Sequence, residues 1–295
     1  MKHQFQLSCE STVDLPFSYV DGRDISVLFY LYTVDGKEYV DDMGRDKKAL
    51  PLFYSMLKEG KMPVTSQINA YRYEEYFDEL LQKGDVLHIA FGSGMTPSVR
   101  NAQEAAETLR QKYPERKLIV IDSLCSSVGY GILVDSAADL RDQGKAMEEI
   151  EEWVLTHRNR VQHQFFSTDL TQFKRSGRVS GLSAALGGIL GICPIMHLNR
   201  EGRIIAYGKV RGKAAAIEAT VRDAMKHIEN GKSYNGKLYI GQSNCMALAE
   251  ETRDLLKKQL PSVKKIPIVD IGIIIASHCG PGTVAVFFFG DERGE

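Results

Sequence analysis

DVLHIAFGSGMTPSVRNA, residues 85–102, carries two kinds of local order in eighteen positions. Asp85 to Phe91 is a short apolar run closed by glycine, too brief for a buried helix and suited to a strand covered on both faces. Gly92-Ser93-Gly94-Met95 breaks it. Thr96-Pro97 then places a capping hydroxyl before a proline that fits the first turn of a helix, and Val99, Ala102, Ala106 and Leu109 recur at helical spacing on one face. Strand, glycine loop and helix in that order are the repeating unit of a layered α/β protein.

The pattern continues outward from there. Toward the N-terminus, Gln4–Cys9 and Ile25–Tyr32 read as strands, and the second runs through Val34-Asp35-Gly36-Lys37 into Glu38-Tyr39-Val40 as a hairpin. Leu52–Lys58 reads as a short helix with Pro51 at its start. Asn69 supplies a cap for a helix whose apolar face is Tyr73, Phe77, Leu80 and Leu81. Toward the C-terminus come a strand at Lys117–Ile121, helices at Ser126–Leu140 and Lys145–Arg158, and a strand at Val161–Thr168. Asp169–Ile192 reads as helix-forming. A hairpin follows, Pro194–Leu198 with Arg203–Val210, and then a helix at Lys213–Glu229 and a strand at Lys237–Gly241. A helix at Ala247–Gln259 and strands at Lys264–Ile271 and Thr283–Phe289 complete the chain. Composition shifts near Arg160, which predicts an N-terminal α/β domain over 1–160 and a C-terminal α/β domain over 161–295.

The totals narrow the class. A chain of 295 residues is long enough for two domains, and 43% apolar with 25% charged residues is ordinary globular composition. Lys and Arg number 37 against 38 Asp and Glu, so no global field draws the chain to nucleic acid. Five cysteines without a CxxC spacing point to reduced thiols in the cytoplasm rather than disulfides or structural zinc, and no metal site is expected. The opening MKHQFQLSCESTVDL lacks the apolar core of a secretory signal. VSGLSAALGGILGICPI, from Val179, is too short to span a bilayer. Nothing in the chain is expected to be membrane-spanning.

Three polar loops fall where strands run into helices, the place open α/β sheets keep for ligands: Val64–Asn69, Gly92–Thr96 and Asp122–Ser127. In the first, Thr65, Ser66 and Gln67 exceed what capping needs, since Asn69 already caps. In the second, Gly92 and Gly94 flank Ser93 and permit close backbone approach, and Thr96 either caps the helix or meets an anion at its positive end. His278 precedes Gly280-Pro281-Gly282, a tight turn that presents it at a domain edge. Arg211 is a cation for a ligand or a solvated charge at a helix start. No GxSxG, phosphate-loop, dinucleotide or HExxH signature occurs. Ser93, His278 and Asp122 leave open a serine-dependent hydrolase or acyltransferase. A regulatory protein that keeps a lipid only as structure is the third possibility.

Seven segments then fit one family in order and spacing: ESTVDLP from Glu10, VTSQ from Val64, GSGMTPSVRNA from Gly92, VIDSLCSSVGYGILV from Val120, FKRSGRVSGLSAALG from Phe173, KVRGKAAA from Lys209 and HCGPG from His278. Over essentially its whole length the chain resembles the DegV family of bacterial fatty-acid-binding proteins. The resemblance implies a two-domain α/β fold holding a long-chain fatty acid such as palmitate, stearate or oleate, with no cofactor. Its acyl chain would be buried and its carboxylate held at the domain interface. It further implies no catalysis by this chain itself: a separate ATP-dependent fatty acid kinase phosphorylates the presented carboxylate for phospholipid synthesis. By the same resemblance the carboxylate falls to Thr65, Ser93, Thr96, Arg211 and His278, with Ser66, Gln67, Gly92 and Gly94 as supporting loop. Departures exist. The family's SSxLSGTY is GSGMTPSV here, putting Gly92 for the first serine, Thr96 for the second hydroxyl, Pro97 for a glycine and Val99 for the aromatic. Glu10 stands where aspartate is common, and Ile68-Asn69 replace a Pro-Ser pair.

Overall fold

The chain from Phe5 to Asp122 lays down a parallel sheet whose order is set by which strands are apolar on both faces. A computed structural model describes residues 3–180 and 191–294. In it β1 (Phe5–Glu10) is followed by helix α1 (Phe17–Gly22) and β2 (Ile25–Leu28), then by β3 (Leu31–Val34), β4 (Lys37–Val40), α2 (Ala49–Lys58), β5 (Val64–Ser66) and α3 (Ala70–Leu81). β6 (Asp85–Ala90), α4 (Ser98–Lys112) and β7 (Leu118–Asp122) follow. The four-stranded sheet has the order β2-β1-β6-β7 with every pairing parallel. The quoted stretch lies at its centre, and five of the six β6 residues are buried.

Four readings of this half change. Ile25–Tyr32 is two strands in different sheets, because at Tyr30 the backbone leaves the ladder: its N–H donates to Ser11 Oγ at 3.1 Å and its carbonyl accepts from Asp41 N at 3.0 Å. β3 instead joins β4 and β5 in a small antiparallel sheet. The segment Val64–Ser66, expected to be loop, is therefore a strand, with Thr65 opposite Tyr32. The helix after β6 begins at Ser98 rather than Pro97, and Thr96 Oγ1 reaches Ser98 N at 3.3 Å, a cap set one residue further out than the sequence predicts. Pro51 sits within the first turn of α2 rather than at its head.

The rest of the chain supplies α5 (Ser127–Asp142), α6 (Met147–His157), β8 (Val161–Ser167), α7 (Thr171–Ser176), β9 (Val179–Ser180), β10 (Ile192–Leu198) and β11 (Ile204–Arg211). It ends with α8 (Lys213–His227), β12 (Leu238–Gln242), α9 (Met246–Gln259), β13 (Ile268–Asp270), α10 (Ile273–Cys279) and β14 (Thr283–Phe289). A mixed seven-stranded sheet runs β13-β12-β14-β8-β10-β11-β9. The helix expected from Asp169 to Ile192 ends instead at Ser176, where Gly177 takes a left-handed conformation (φ 64°) and closes it. Residues 181–190, which include most of that expected helix, lie outside the described residues. The strand expected at Lys264–Ile271 is paired only over Ile268–Asp270.

Helix α5 joins the halves. It is buried along nearly its whole first three turns, as an apolar sequence on all faces requires. Gly129 and Gly131 let it approach its neighbours: a Cβ at Gly129 would fall under 3.0 Å from the His163 ring of β8, and one at Gly131 under 3.0 Å from the Val13 carbonyl. Asp135, 2% exposed, binds Arg23 Nη1 at 2.7 Å and also pairs with Lys237, so one buried carboxylate ties together cations more than two hundred residues apart in the chain. The five thiols are all free cysteines. Among the described residues no helix is long and apolar enough to cross a membrane.

Candidate functional site

The VTSQ strand and the GSGMTPS loop meet through Ser98, a residue to which the sequence alone assigned no role. Its hydroxyl accepts from Ile68 N at 3.1 Å and lies 3.1 Å from Thr96 Oγ1, while Asn101 Nδ2 donates to the Ile68 carbonyl at 2.7 Å. Helix α4 thus holds both polar segments at its N-terminal end. Behind them the buried Glu10 carboxylate accepts from Phe91 N at 2.6 Å and from the Tyr73 hydroxyl, and lies 3.3 Å from His88 Nε2. The acidic residue at the end of β1 locks the β6 terminus against α3 and is sealed from any ligand.

His278 arrives from the other half. It lies in the last turn of α10, which Gly280 ends at φ 68°, so a short helix and not the glycine turn alone presents the ring. The isoleucine run 273–275 hid that helix from sequence reading, because three β-branched residues favour a strand. His278 Nε2 is 2.9 Å from Thr65 Oγ1, and Nδ1 is buried with no partner among the described residues. Burial, reinforced by the positive charge of Arg178, lowers the imidazole to about 4, which keeps it neutral at pH 7. With the proton on Nε2 the ring donates to the Thr65 oxygen, and the Thr65 hydroxyl proton is free for an acceptor in the space beyond.

That space is a cavity of about 330 Å³, within the range of small-molecule sites. Thr65, Ser66, Gln67, Thr96 and His278 line it together with Arg178. Its remaining wall is largely apolar: Phe91, Phe165, Phe173, Leu198, Ile274 and Phe287 all contribute. Tyr30 also lines it, with a buried hydroxyl that makes no hydrogen bond to a described residue. The GIIIA run supplies Ile274 and Ile275, and the FFF run supplies Phe287 to the lining, whereas GLSAALGGILGI lies almost entirely outside the described residues.

Other sequence candidates lie elsewhere. Ser93 is exposed and absent from the cavity wall; its N–H donates to Asp122 Oδ1 at 3.0 Å. Asp122 Oδ1 also accepts from Leu124 N at 3.0 Å, so it shapes a turn rather than orienting a histidine. Ser93, His278 and Asp122 do not assemble into a relay. Arg211 is exposed at the end of β11 and does not line the cavity; the arginine that does is Arg178. Its signal was present in the quoted FKRSGR, but a surface-charge reading fitted equally well. Gly92 and Gly94 do serve close approach, though to protein backbone rather than to a ligand. A Cβ on Gly92 would meet Cys125, and one on Gly94 would meet Glu201 and Gly202, each under 3.0 Å. No group of three or more His, Cys, Asp or Glu side chains among the described residues is arranged to hold a metal.

Comparison with known proteins gives a single family. Residues 4–291 match the family model described as "Uncharacterised protein, DegV family". A DegV domain-containing protein of Clostridium perfringens is 35% identical over 292 residues, covering 98% of this chain and 99% of its own. Among solved structures, a DegV family protein from Thermus thermophilus described for its fatty acid binding is 26% identical, with a TM-score of 0.85 over 98% of this chain and 100% of its own. A DegV family protein from Ruminococcus gnavus, refined with vaccenic acid, has a TM-score of 0.86 at 20% identity, covering 97% of this chain and 100% of its own. The chain belongs to the DegV family and has its two-domain α/β fold.

Proposed function

We propose that this DegV family member binds a long-chain fatty acid in the cavity between β5, the loop before α4, α10 and β14, with the carboxylate at Thr65, Thr96 and His278. The observation that carries the reading is the 2.9 Å contact of Thr65 with His278, which sets a polar pair in the wall of a largely apolar cavity. Burying fourteen methylenes at ~0.8 kcal/mol each gives a gross drive on the order of 11 kcal/mol before binding entropy is deducted. The opposing term is the carboxylate, which costs several kcal/mol to sequester unless donors and a cation meet it. The Thr65 hydroxyl, its oxygen held by the neutral Nε2–H of His278, and Thr96 face it, and Arg178 supplies the positive charge. Ser66 and Gln67 support the same loop. Ser93 and Arg211 have no place at this carboxylate in the present arrangement. The fatty acid reported with the Thermus and Ruminococcus relatives supports the ligand class.

We further infer that the chain presents its ligand and does not transform it: a separate ATP-dependent fatty acid kinase phosphorylates the bound carboxylate, feeding phospholipid synthesis in the cytoplasm. The exposed Arg178 in the cavity wall supports a carboxylate held within reach of solvent. We draw the domain division at 160/161: the four-stranded sheet uses strands up to Asp122, and the seven-stranded sheet uses strands from Val161 onward. Native mass spectrometry of the purified chain tests the ligand. The expected result is one bound acid per chain; no co-purifying acid and no uptake of palmitate or oleate after delipidation would refute it. Acyl phosphate should form from the loaded chain only when a kinase and ATP are added, and formation without the kinase would overturn the presenting role.

A further inference from the structure

Glu10 locks the end of β6, but two other residues of the same ESTVDLP segment reach toward a different element. Asp14, in a left-handed conformation after β1 (φ 51°), is buried and accepts from Ser127 Oγ at the start of α5. Its Oδ1 lies against Gly272, whose backbone N–H faces this carboxylate. Ser11 Oγ donates to Asp41 Oδ2 at 2.9 Å, and the buried Asp41 carboxylate also meets the backbone N–H groups of Ile273 and Met43.

Gly272 and Ile273 are where α10 begins. The first N–H groups of any helix lack a partner inside it, and a helix of seven residues gains too little from its own turns to hold itself in place. Here two acids from the N-terminal half meet those groups. The approach at Gly272 is so close that a Cβ would fall under 3.0 Å from Asp14 Oδ1. Glycine is therefore demanded by the contact and not by the backbone, whose φ of −64° is open to any residue.

The helix held in this way is the one that carries His278. Ile274, Ile275 and His278 face the apolar cavity, whereas Gly272 and Ile273 lie on the opposite side with Asp14 and Asp41. A short helix moves as a unit, so a displacement at its first residue reaches its last. A shift of about 1 Å takes the Thr65 to His278 contact, now 2.9 Å, out of hydrogen-bond range. We propose that Asp14 and Asp41 are positioning residues for the ligand carboxylate, acting through α10 on His278. The inference rests on the fatty-acid reading of the cavity. Burial raises both carboxyls, Asp41 to about 7, so an uncharged oxygen is enough to meet each amide.

Oleate competition against a fluorescent fatty acid on the delipidated full chain tests it. Asp14→Leu, which keeps the volume and removes both oxygens, should weaken oleate about tenfold or more, whereas Asp14→Asn, which retains an oxygen for the Gly272 amide, should stay within about threefold of wild type. Asp41→Leu and Asp41→Asn should divide in the same way. In a His278→Ala background, Asp14→Leu should add less than about twofold, because a residue acting through the ring has nothing to act on once the ring is gone. An acid that only stabilised the fold would add the same loss in both backgrounds. Should Asp14→Leu fold poorly, Gly272→Ala leaves every charge in place, drives a methyl against Asp14 Oδ1, and should show the same loss with the same dependence on His278. Wild-type affinity in the leucine variants or in Gly272→Ala, equal losses from Asp14→Leu and Asp14→Asn, or losses that simply add to that of His278→Ala would each overturn the positioning role. Failure of the wild-type chain to bind oleate would instead overturn the fatty-acid reading, and this role with it.

Discussion

Replacing Thr65 by valine keeps the shape of the side chain and removes only its hydroxyl, which makes it the sharpest probe of the carboxylate site. In the ligand-free chain the loss is the 2.9 Å contact with His278, whose Nδ1 already lacks a partner. Leaving Nε2 unmet as well costs about 1–3 kcal/mol of stability, since a buried polar atom forfeits water without regaining a partner. In the complex the lost group is a donor to an ionised carboxylate, and such hydrogen bonds contribute about 1.5–3 kcal/mol. At about 1.4 kcal/mol per decade, Thr65→Val should raise the dissociation constant for oleate roughly ten- to a hundredfold. Displacement of a fluorescent fatty acid from delipidated protein measures it, with Ser93→Ala in parallel. The exposed Ser93 is outside the cavity wall, so Ser93→Ala should leave affinity within about threefold, the usual reach of a surface change. A Thr65→Val constant within threefold of wild type, or an equal loss from Ser93→Ala, would refute the assignment of this hydroxyl to the carboxylate.

Three further outcomes follow from the same structure. Gly94→Ala would drive a methyl into the backbone of Glu201 and Gly202, and overpacking of that kind lowers stability by about 1–3 kcal/mol, read as a lower urea midpoint; an unchanged midpoint would contradict the close approach. Glu10→Ala strips the buried partner from Phe91 N, Tyr73 and His88 and should cost about 3–5 kcal/mol in thermal or chemical unfolding, whereas a loss under 1 kcal/mol would show the network to be dispensable. Asp41 gives a pH dependence. Burial, offset by the Ser11 hydroxyl and reinforced by Asp42, raises its carboxyl from 3.8 to about 7 in the folded state. The folded chain therefore holds a proton that the unfolded chain has released between about pH 4 and 7, and this group's contribution to stability falls as pH rises through that window, by at most about 4 kcal/mol. His278, lowered to about 4, acts oppositely over part of the same range. Subtracting the unfolding free energies of Asp41→Asn from those of wild type at each pH isolates the aspartate; a flat difference between pH 4 and 7 would refute it.

What the sequence determined by itself was local. Periodicity placed β6, β7, β8, β14 and the start of α4 within one or two residues, because a strand covered on both faces or a helix with one apolar stripe writes its burial into consecutive positions. Asn69 capped as its type required. The ordered motifs identified the family, and with it the two-domain fold. What only the tertiary structure decided was every choice that depends on a distant partner. Ile25–Tyr32 splits because Ser11 and Asp41 claim the Tyr30 backbone, and no window of the sequence contains both. Thr65 becomes a strand residue because β3 is there to pair with it. The cation at the cavity is Arg178 and not Arg211, two exposed arginines that differ only in where the folded chain carries them. Thr65 and His278 stand 213 residues apart, and their meeting is a property of packing, since side-chain types announce what a site could bind but not which of them share it.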